Sequence, residues 1–364
     1  MRDLPIIITG GGIAGLAAAC ALAKTGREII VCERATKFET AGAGLQAGPN
    51  AVRALKKIGA WEAFAPSTCA PPAILVRDGL NGRILKRIDL GKSFEARFGE
   101  PYRVAHRAHL HGALEEVARS FGNVMIELGC DATGYENAGD TIAVSTQDRV
   151  VHASMLIGAD GIRSNIRKAM LNDGPPTVHR QTIYRSLRPI PGDSDFACVE
   201  LWLCPGAHLV HYPVDGGRLL NIGASVDGGG LHNAFAGCCS ALQHVIAGTA
   251  SWSEWPALDR DPAPRWHDGR ALLIGDAAHP ALPYLAQGAA MALEDAAALP
   301  GGHEGFEMFA AQRAARVAGV ARASRGMAAG YHAKGFRRAA RNLAIQAMPE
   351  TLFLARLGWI YRGP

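Results

Sequence analysis

The chain has 364 residues, 48% of them hydrophobic, a formal net charge of +5 and a sequence pI near 8.8. That length and apolar content support large cores in one or two domains. The sequence lacks an apolar run of about eighteen residues and passes from Met1 directly into a strand, so neither a spanning helix nor a signal peptide is indicated, and a soluble cytoplasmic protein with no stable membrane insertion is expected.

Leu4 to Thr9 reads as a buried parallel strand, Ile13 to Lys24 as an alanine-rich helix closed by Gly26, and Glu28 to Cys32 as the next strand. Within this βαβ unit Gly10, Gly12 and Gly15 form G-x-G-x-x-G. Glycine lets the backbone turn tightly there and approach a diphosphate, which then faces the helix N-terminus at Ile13 and Ala14. Glu33, at the end of the second strand, stands where a carboxylate accepts from the two ribose hydroxyls of an unphosphorylated adenosine. Asn50 is expected to cap a helix that runs to Ile58 and stops at Gly59.

Residues 73 to 98 alternate apolar runs with the turn signals Asp78-Gly79 and Asn81-Gly82, predicting antiparallel strands. Helical spacing returns from Val104, and Val124 to Leu128, Ile142 to Ser145 and Met155 to Ile157 read as strands. After this last strand comes Gly158-Ala159-Asp160-Gly161. Asp160 there could simply cap the following helix. Residues 180 to 227 are strand-like again, with Gly216-Gly217 as a hairpin turn, and Pro256 to Pro264 carries the chain back.

Ala271 to Ile274 then leads into Gly275-Asp276-Ala277-Ala278-His279-Pro280, with a helix beginning near Gln287-Gly288-Ala289. Asp276 is placed for a ribityl or pyrophosphate oxygen. Pro283 stiffens the loop, and the helix N–H groups at Gly288 and Ala289 suit the pyrimidine edge of an isoalloxazine, where charge builds on reduction. Two strand-loop-helix elements so far apart are most simply the halves of one FAD site, and beside the first glycine loop and the Asp276 loop Asp160 is expected to stand near the flavin and nicotinamide. The expected fold is α/β: an FAD-binding Rossmann-like domain of the glutathione-reductase type (1–72, 100–178 and 265–364, with C-terminal helices) and an inserted β-sheet substrate layer (73–99 and 179–264).

The eight cysteines show no C-x-x-C pair and are expected to be reduced; adjacent Cys238 and Cys239 would form a strained bridge. Eight basic residues between Ala310 and Ile345 (313, 316, 322, 325, 334, 337, 338 and 341), without an acidic one, read as a solvated helix face rather than a nucleic-acid or membrane patch. No metal site is expected.

These motifs resemble the single-component FAD-dependent aromatic hydroxylases, the group A flavoprotein monooxygenases, over almost the whole chain. The stretches Gly42 to Leu55 and His279 to Ala289, with His106-Arg107-Ala108-His109-Leu110 as H-R-x-x-L and Trp359-Ile360-Tyr361 at the C-terminus, look closest to the salicylate and 3-hydroxybenzoate 6-hydroxylase branch. The resemblance implies FAD contacts at Glu33, Arg34, Gln46, Arg107, Asp276, Gly288 and Ala289. It also implies reduction of FAD by NADH or NADPH, addition of O₂ to give a flavin hydroperoxide, and oxygen transfer to an electron-rich phenol. Between Val226 and Trp255 the chain departs from this pattern, with Gly228-Gly229-Gly230 in place of more helix, so substrate identity carries over less well than cofactor identity.

Hydroxylation needs a base, because a phenolate attacks electrophilic oxygen better than a phenol does. Leu201 to Val214 reads as two strand pieces around Pro205-Gly206. In the second, alternation puts His208, Val210 and Tyr212 on one face, with His208 and Tyr212 about 13 Å apart along the strand. The branch it resembles uses a His and a Tyr at this spacing with a Gln that matches Gln287. His208 is therefore the expected base, with Tyr212 and Gln287 orienting the ring; a register slip would bring in His211 instead, and a structural histidine is the alternative. Arg185 and Arg188 are candidates for a substrate carboxylate. The expected partners are a small aromatic substrate and O₂, with no nucleic acid; a homodimer stays open.

A pyridine-nucleotide dehydrogenase would leave the Asp160 and Asp276 loops unexplained, and Trp252-Ser253-Glu254-Trp255-Pro256 does not fit the W-x-W-x-I-P stretch of flavin halogenases. A non-catalytic flavin-binding regulator is the rival of a different class, and a hydroxylase of non-benzoate heteroaromatics the rival within the class.

Overall fold

The computed structural model describes residues 4–38, 43–192 and 196–363; Gly42, the first residue of the first stretch quoted for the resemblance, lies outside them. Among the described residues a six-stranded sheet runs in the order His267–Asp268, Ala271–Leu273, Met155–Gly158, Ile6–Thr9, Ile29–Glu33, Val124–Leu128. Its pairings are parallel except for the outermost hairpin 267–273. The inner strands are Ile-, Val- and Leu-rich and almost wholly buried, as expected of strands covered on both faces. The helix Ile13–Ala23 is apolar nearly all round because it is buried among the sheet and the helices Gly288–Ala298 and Arg107–Ser120.

A second sheet draws seven strands from two distant segments, in the order Ser253–Asp259, Thr177–Pro189, Leu219–Val226, Ala207–Val214, Val199–Cys204, Ala73–Asp78, Ile84–Asp89. It is antiparallel except where 199–204 runs parallel to 73–78. The short pair Gly44–Ala47 and Arg103–His106 stands where the two sheets meet, since Gly44 reaches Asn221 of the larger sheet. The last 60 or so residues are helical: Phe306–Tyr331, Gly335–Ala347 and Glu350–Tyr361. No helix of the described residues is long and apolar enough to cross a membrane.

Several expectations change. Lys92–Phe98 is a helix rather than part of the strand region, because Phe94 and Phe98 fall one turn apart on its buried face. Asn50 is not a cap: Gly48 holds that position, and Asn50 lies inside the helix Pro49–Ile58, buried, giving its amide to Gln287 Oε1 at 2.9 Å and Glu294 Oε1 at 2.7 Å. The basic stretch is not simply a solvated face. Arg313 is buried and bonds both Glu294 and Asp295, Arg316 bonds Glu294, Arg325 bonds Asp259 and Asp261, and Arg338 bonds Asp78. All eight cysteines are free; the near pair is Cys204 and Cys238, 3.5 Å apart at sulfur, rather than Cys238 and Cys239.

Candidate active site

The first glycine loop is built by close approach. Gly10 sits at φ +91°, where a Cβ would lie 2.5 Å from the Ala159 carbonyl oxygen, so the loops after strands 6–9 and 155–158 touch. A Cβ on Gly15 would strike the Gly10 carbonyl. Gly12 differs: it is the N-cap of the helix Ile13–Ala23 and a Cβ there meets nothing within 4 Å. That open space ahead of unpaired helix N–H groups is what a diphosphate needs.

Two adjoining cavities open from this point. One, of about 360 Å³, is lined by Gly12, Ile13, Ala14, Gln46, Arg107, Asp276, Pro283, Gly288 and Ala289 on one side and by strands of the seven-stranded sheet on the other. The second, of about 910 Å³, holds Glu33 and shares Gly12, Ala43, Arg107 and Arg185 with the first. Glu33 accepts from the amides of Gly11 at 2.6 Å and Ala35 at 2.8 Å, which leaves carboxylate lone pairs for ribose hydroxyls. The cleft thus runs from Glu33 past the open space at Gly12 to a smaller chamber between the two sheets.

Asp276 enters that cleft from a short 3₁₀ turn, Gly275–Ala277, with no hydrogen-bond or ion-pair partner among the described residues. The turn is anchored below. Asp295 accepts from Gly275 N at 2.9 Å, His279 Nε2 at 2.6 Å and Arg313 Nε at 2.7 Å, all buried. Burial would raise the Asp295 carboxyl, but His279 and Arg313 hold it down at about 2. Ala286, a non-glycine residue at φ +52°, turns the chain into the helix Gly288–Ala298, whose first residues line the cleft.

On the facing sheet, strand registry sets His208 opposite Ser225, Val210 opposite Gly223 and Tyr212 opposite Asn221. Ile183 and Arg185 pair with Ser225 and Gly223 from the other side. All of these residues line the cavity. The missing side chain at Gly223 leaves a floor between Arg185 and Val210 on which a flat ring can rest. Burial pushes the His208 imidazole well below its ordinary value and raises the Tyr212 hydroxyl, which Gln46 contacts while accepting from Tyr102 Oη at 2.5 Å.

Arg185 has no acidic partner among the described residues. Its guanidinium lies 4.8 Å over the Trp255 ring, and burial, with Arg107 nearby, weakens its hold on its proton.

Four expected contacts lie elsewhere. Asp160 does not line either cavity. It accepts from Ser164 Oγ at 2.5 Å and Ile166 N at 3.2 Å, which is the helix-capping alternative. Arg34 is exposed and also outside both linings, and Arg188 faces the opposite side of the sheet, 5.4 Å over Phe196. The Gln287 side chain is turned to Asn50 rather than the cavity. His211 points away as well, accepting from Trp202 Nε1 at 3.1 Å.

One group was not anticipated: His208 Nδ1 lies 2.8 Å from Nε2 of His332, whose own Nδ1 lies 2.7 Å from Asp227 Oδ1. Away from the cleft, Cys32, Glu127 and Cys130 bring metal-capable atoms within 4.8 Å. Burial pushes both thiols up, and Glu127 is held by Arg149.

A family model described as an FAD binding domain matches residues 3–185 and 242–301. The chain is 36% identical to 3-hydroxybenzoate 6-hydroxylase 1 of Aquipseudomonas alcaligenes, over 98% of this chain and 97% of that protein. It is 33% identical to the 3-hydroxybenzoate 6-hydroxylase of Polaromonas naphthalenivorans, over 99% and 96%. The chain belongs to the FAD-dependent aromatic hydroxylases. Its fold also matches that of HpxO from Klebsiella pneumoniae complexed with FAD and uric acid, with a TM-score of 0.86 at 23% identity, over 99% and 97% of the two chains. FAD is therefore the cofactor of this hydroxylase, and the open space at Gly12 with the unpaired Asp276 carboxylate fits it.

Proposed function

We propose that this enzyme hydroxylates a small aromatic acid carrying a phenolic hydroxyl, with NADH or NADPH as reductant and O₂ as oxidant, in the cytoplasm. Residues 73–99 and 179–264 serve as its substrate layer. The observation that carries this reading is the cavity wall itself: a cation with no acidic partner among the described residues at Arg185 and an imidazole held neutral by burial at His208, on either side of the bare backbone of Gly223. A ring over Gly223 places a carboxylate at Arg185, which gains a charge-assisted pair at a largely buried guanidinium. Its hydroxyl is then presented to the outer nitrogen of His208, while Tyr212 and Gln46 hold the ring edge.

His208 accepts the phenolic proton, Tyr212 orients the far edge of the ring, and Gln287 sets the angle of the helix Gly288–Ala298 through Asn50. Gly12, Glu33, Asp276, Gly288 and Ala289 would hold FAD, which when bound supplies electron transfer from the nicotinamide and activation of O₂. The relatives named for 3-hydroxybenzoate support a hydroxybenzoate-like substrate. A screen of hydroxybenzoates and hydroxylated N-heterocyclic acids for stimulated NAD(P)H oxidation, with product identified, tests it. Coupled hydroxylation of an acid is expected; oxidation stimulated equally by neutral phenols contradicts the role of Arg185.

A further inference from the structure

We infer that His332 and Asp227 form a proton exit that carries the phenolic proton from His208 to the protein surface. This rests on the reading of His208 as the base. Two neighbouring strands and one distant helix meet to make the path: strand Ala207–Val214, Asp227 just past strand Leu219–Val226, and His332 at the C-terminal end of helix Phe306–Tyr331. The Gly206 amide donates to the His332 carbonyl and the Asp227 amide to the Gly206 carbonyl, at 3.0 and 2.9 Å, which holds the three together. From the cavity wall the links are 2.8 Å and then 2.7 Å. Asp227 also accepts from Gln181 at 2.8 Å and from Arg180 at 2.9 Å, whose side chain is 74% exposed. The path therefore runs from a buried imidazole on the cavity wall to the protein surface.

The rings around His208 leave it few polar neighbours. Tyr284 and Tyr331 stand edge-on to it at 5.1 and 5.0 Å, the former bonded to Ser225 and the latter to a backbone carbonyl. Tyr284, Tyr331, His332 and Asp227, with Arg180 and Lys334 acting on His332, are the titratable and charged groups that face the path. Burial lowers both imidazoles, so both rings are neutral at rest, each with a single N–H.

With Asp227 ionised, His332 donates its Nδ1–H to the carboxylate and offers Nε2 as acceptor; His208 donates Nδ1–H to it and keeps Nε2 free for the cavity. The substrate O–H bond then breaks with its electron pair left on oxygen, and the proton joins Nε2 of His208. The Nδ1 proton of His208 passes to Nε2 of His332, and the Nδ1 proton of His332 to Asp227 and on to water. A proton returning along the same path reaches Nδ1 of His208 as the Nε2 proton passes to the phenolate oxygen of the product, which resets both rings. His332 and Asp227 touch no substrate and act only through His208.

The test uses the FAD-loaded full chain. Nitrogen-15 spectra of the histidines at neutral pH are expected to show the Nδ1–H form for both rings, with Asp227→Asn shifting His332 away from it. With 3-hydroxybenzoate as the probe, stopped-flow absorbance follows phenolate formation. His332→Gln and Asp227→Asn are expected to slow it by about tenfold or more, leaving FAD content and probe affinity near those of the parent, and imidazole in the buffer is expected to restore the rate in His332→Ala. An Nε2–H form for His208 in the parent, or parental rates in both variants, overturns the relay. If the parent neither binds nor hydroxylates the probe, the substrate reading falls while the tautomer measurement still decides the relay.

Discussion

Gly44 donates its backbone N–H to Oδ1 of Asn221 at 2.6 Å, across 177 residues of sequence. The bond ties a strand on the cofactor side of the cleft to the sheet that carries His208, Arg185 and Tyr212. A Cβ at position 44 would stand 2.6 Å from both Asn221 Cγ and Tyr212 Cε2, so only glycine permits the two layers to approach. Gly44→Val is expected to force them apart, raising KM for the aromatic acid by about tenfold or more while FAD stays bound, since a displacement near 1 Å has effects of that size. Steady-state kinetics beside flavin absorbance checks this; an unchanged KM contradicts it.

Gly12 should behave in the opposite manner. Its backbone, at φ −76°, suits any residue, and the space beside it is free of protein atoms. Gly12→Val is expected to leave the melting temperature of the cofactor-free protein unchanged and to weaken FAD binding by about a hundredfold, the two to three kcal/mol of a steric block at a diphosphate. Asp276→Ala is expected to weaken retention by about tenfold through loss of one hydrogen bond to the cofactor. Flavin titration reads both, and full FAD occupancy in either variant at low micromolar cofactor contradicts the assigned cleft.

Arg185→Gln is expected to raise KM for an acidic substrate by about ten- to a hundredfold, the loss of one charge-assisted pair, and to leave neutral phenols unaffected. Arg188→Gln, on the opposite face, is expected to alter neither. Equal effects of the two substitutions contradict the carboxylate position.

Acid stability should report the anchor beneath the Asp276 turn. Asp295 has its carboxyl lowered from 3.8 to about 2 in the folded chain. A depressed folded value stabilises above the unfolded one and is lost as pH falls through the folded one. The contribution, on the order of 2 kcal/mol, is complete above about pH 5 and disappears between about pH 4 and pH 2. Asp295→Asn is expected to flatten the melting temperature in that window and, by leaving buried Arg313 with Glu294 as its one carboxylate partner, to cost about 1 to 3 kcal/mol at neutral pH. An unchanged pH profile contradicts this role.

The cofactor half was legible in the sequence because its signals are local. A buried strand, a glycine run and a helix start occupy consecutive residues, as at 6–23 and 271–298, and the alternation of 207–214 correctly put His208, Val210 and Tyr212 on one wall. What escaped depends on distant packing. Nothing near Asp227 or His332 marks them as neighbours of His208, since the helix Phe306–Tyr331 must first dock before the three meet. Asn50 misled because Asn at a helix start usually caps, whereas here Gly48 precedes Pro49 and the amide is spent on Gln287 and Glu294. The same docking turned the basic stretch inward, where Arg313 and Arg316 meet the two acids of helix Gly288–Ala298.

The most direct test of an aromatic hydroxylase built on this cleft is isotopic. FAD-loaded protein is supplied with NAD(P)H, ¹⁸O₂ and a hydroxybenzoate that stimulates cofactor oxidation, and the product is weighed by mass spectrometry. One ¹⁸O atom per product molecule, with His208→Ala still yellow but forming little product, is the expected result. Nicotinamide oxidation that yields only peroxide with every acid tried, or product labelled from water, contradicts the account.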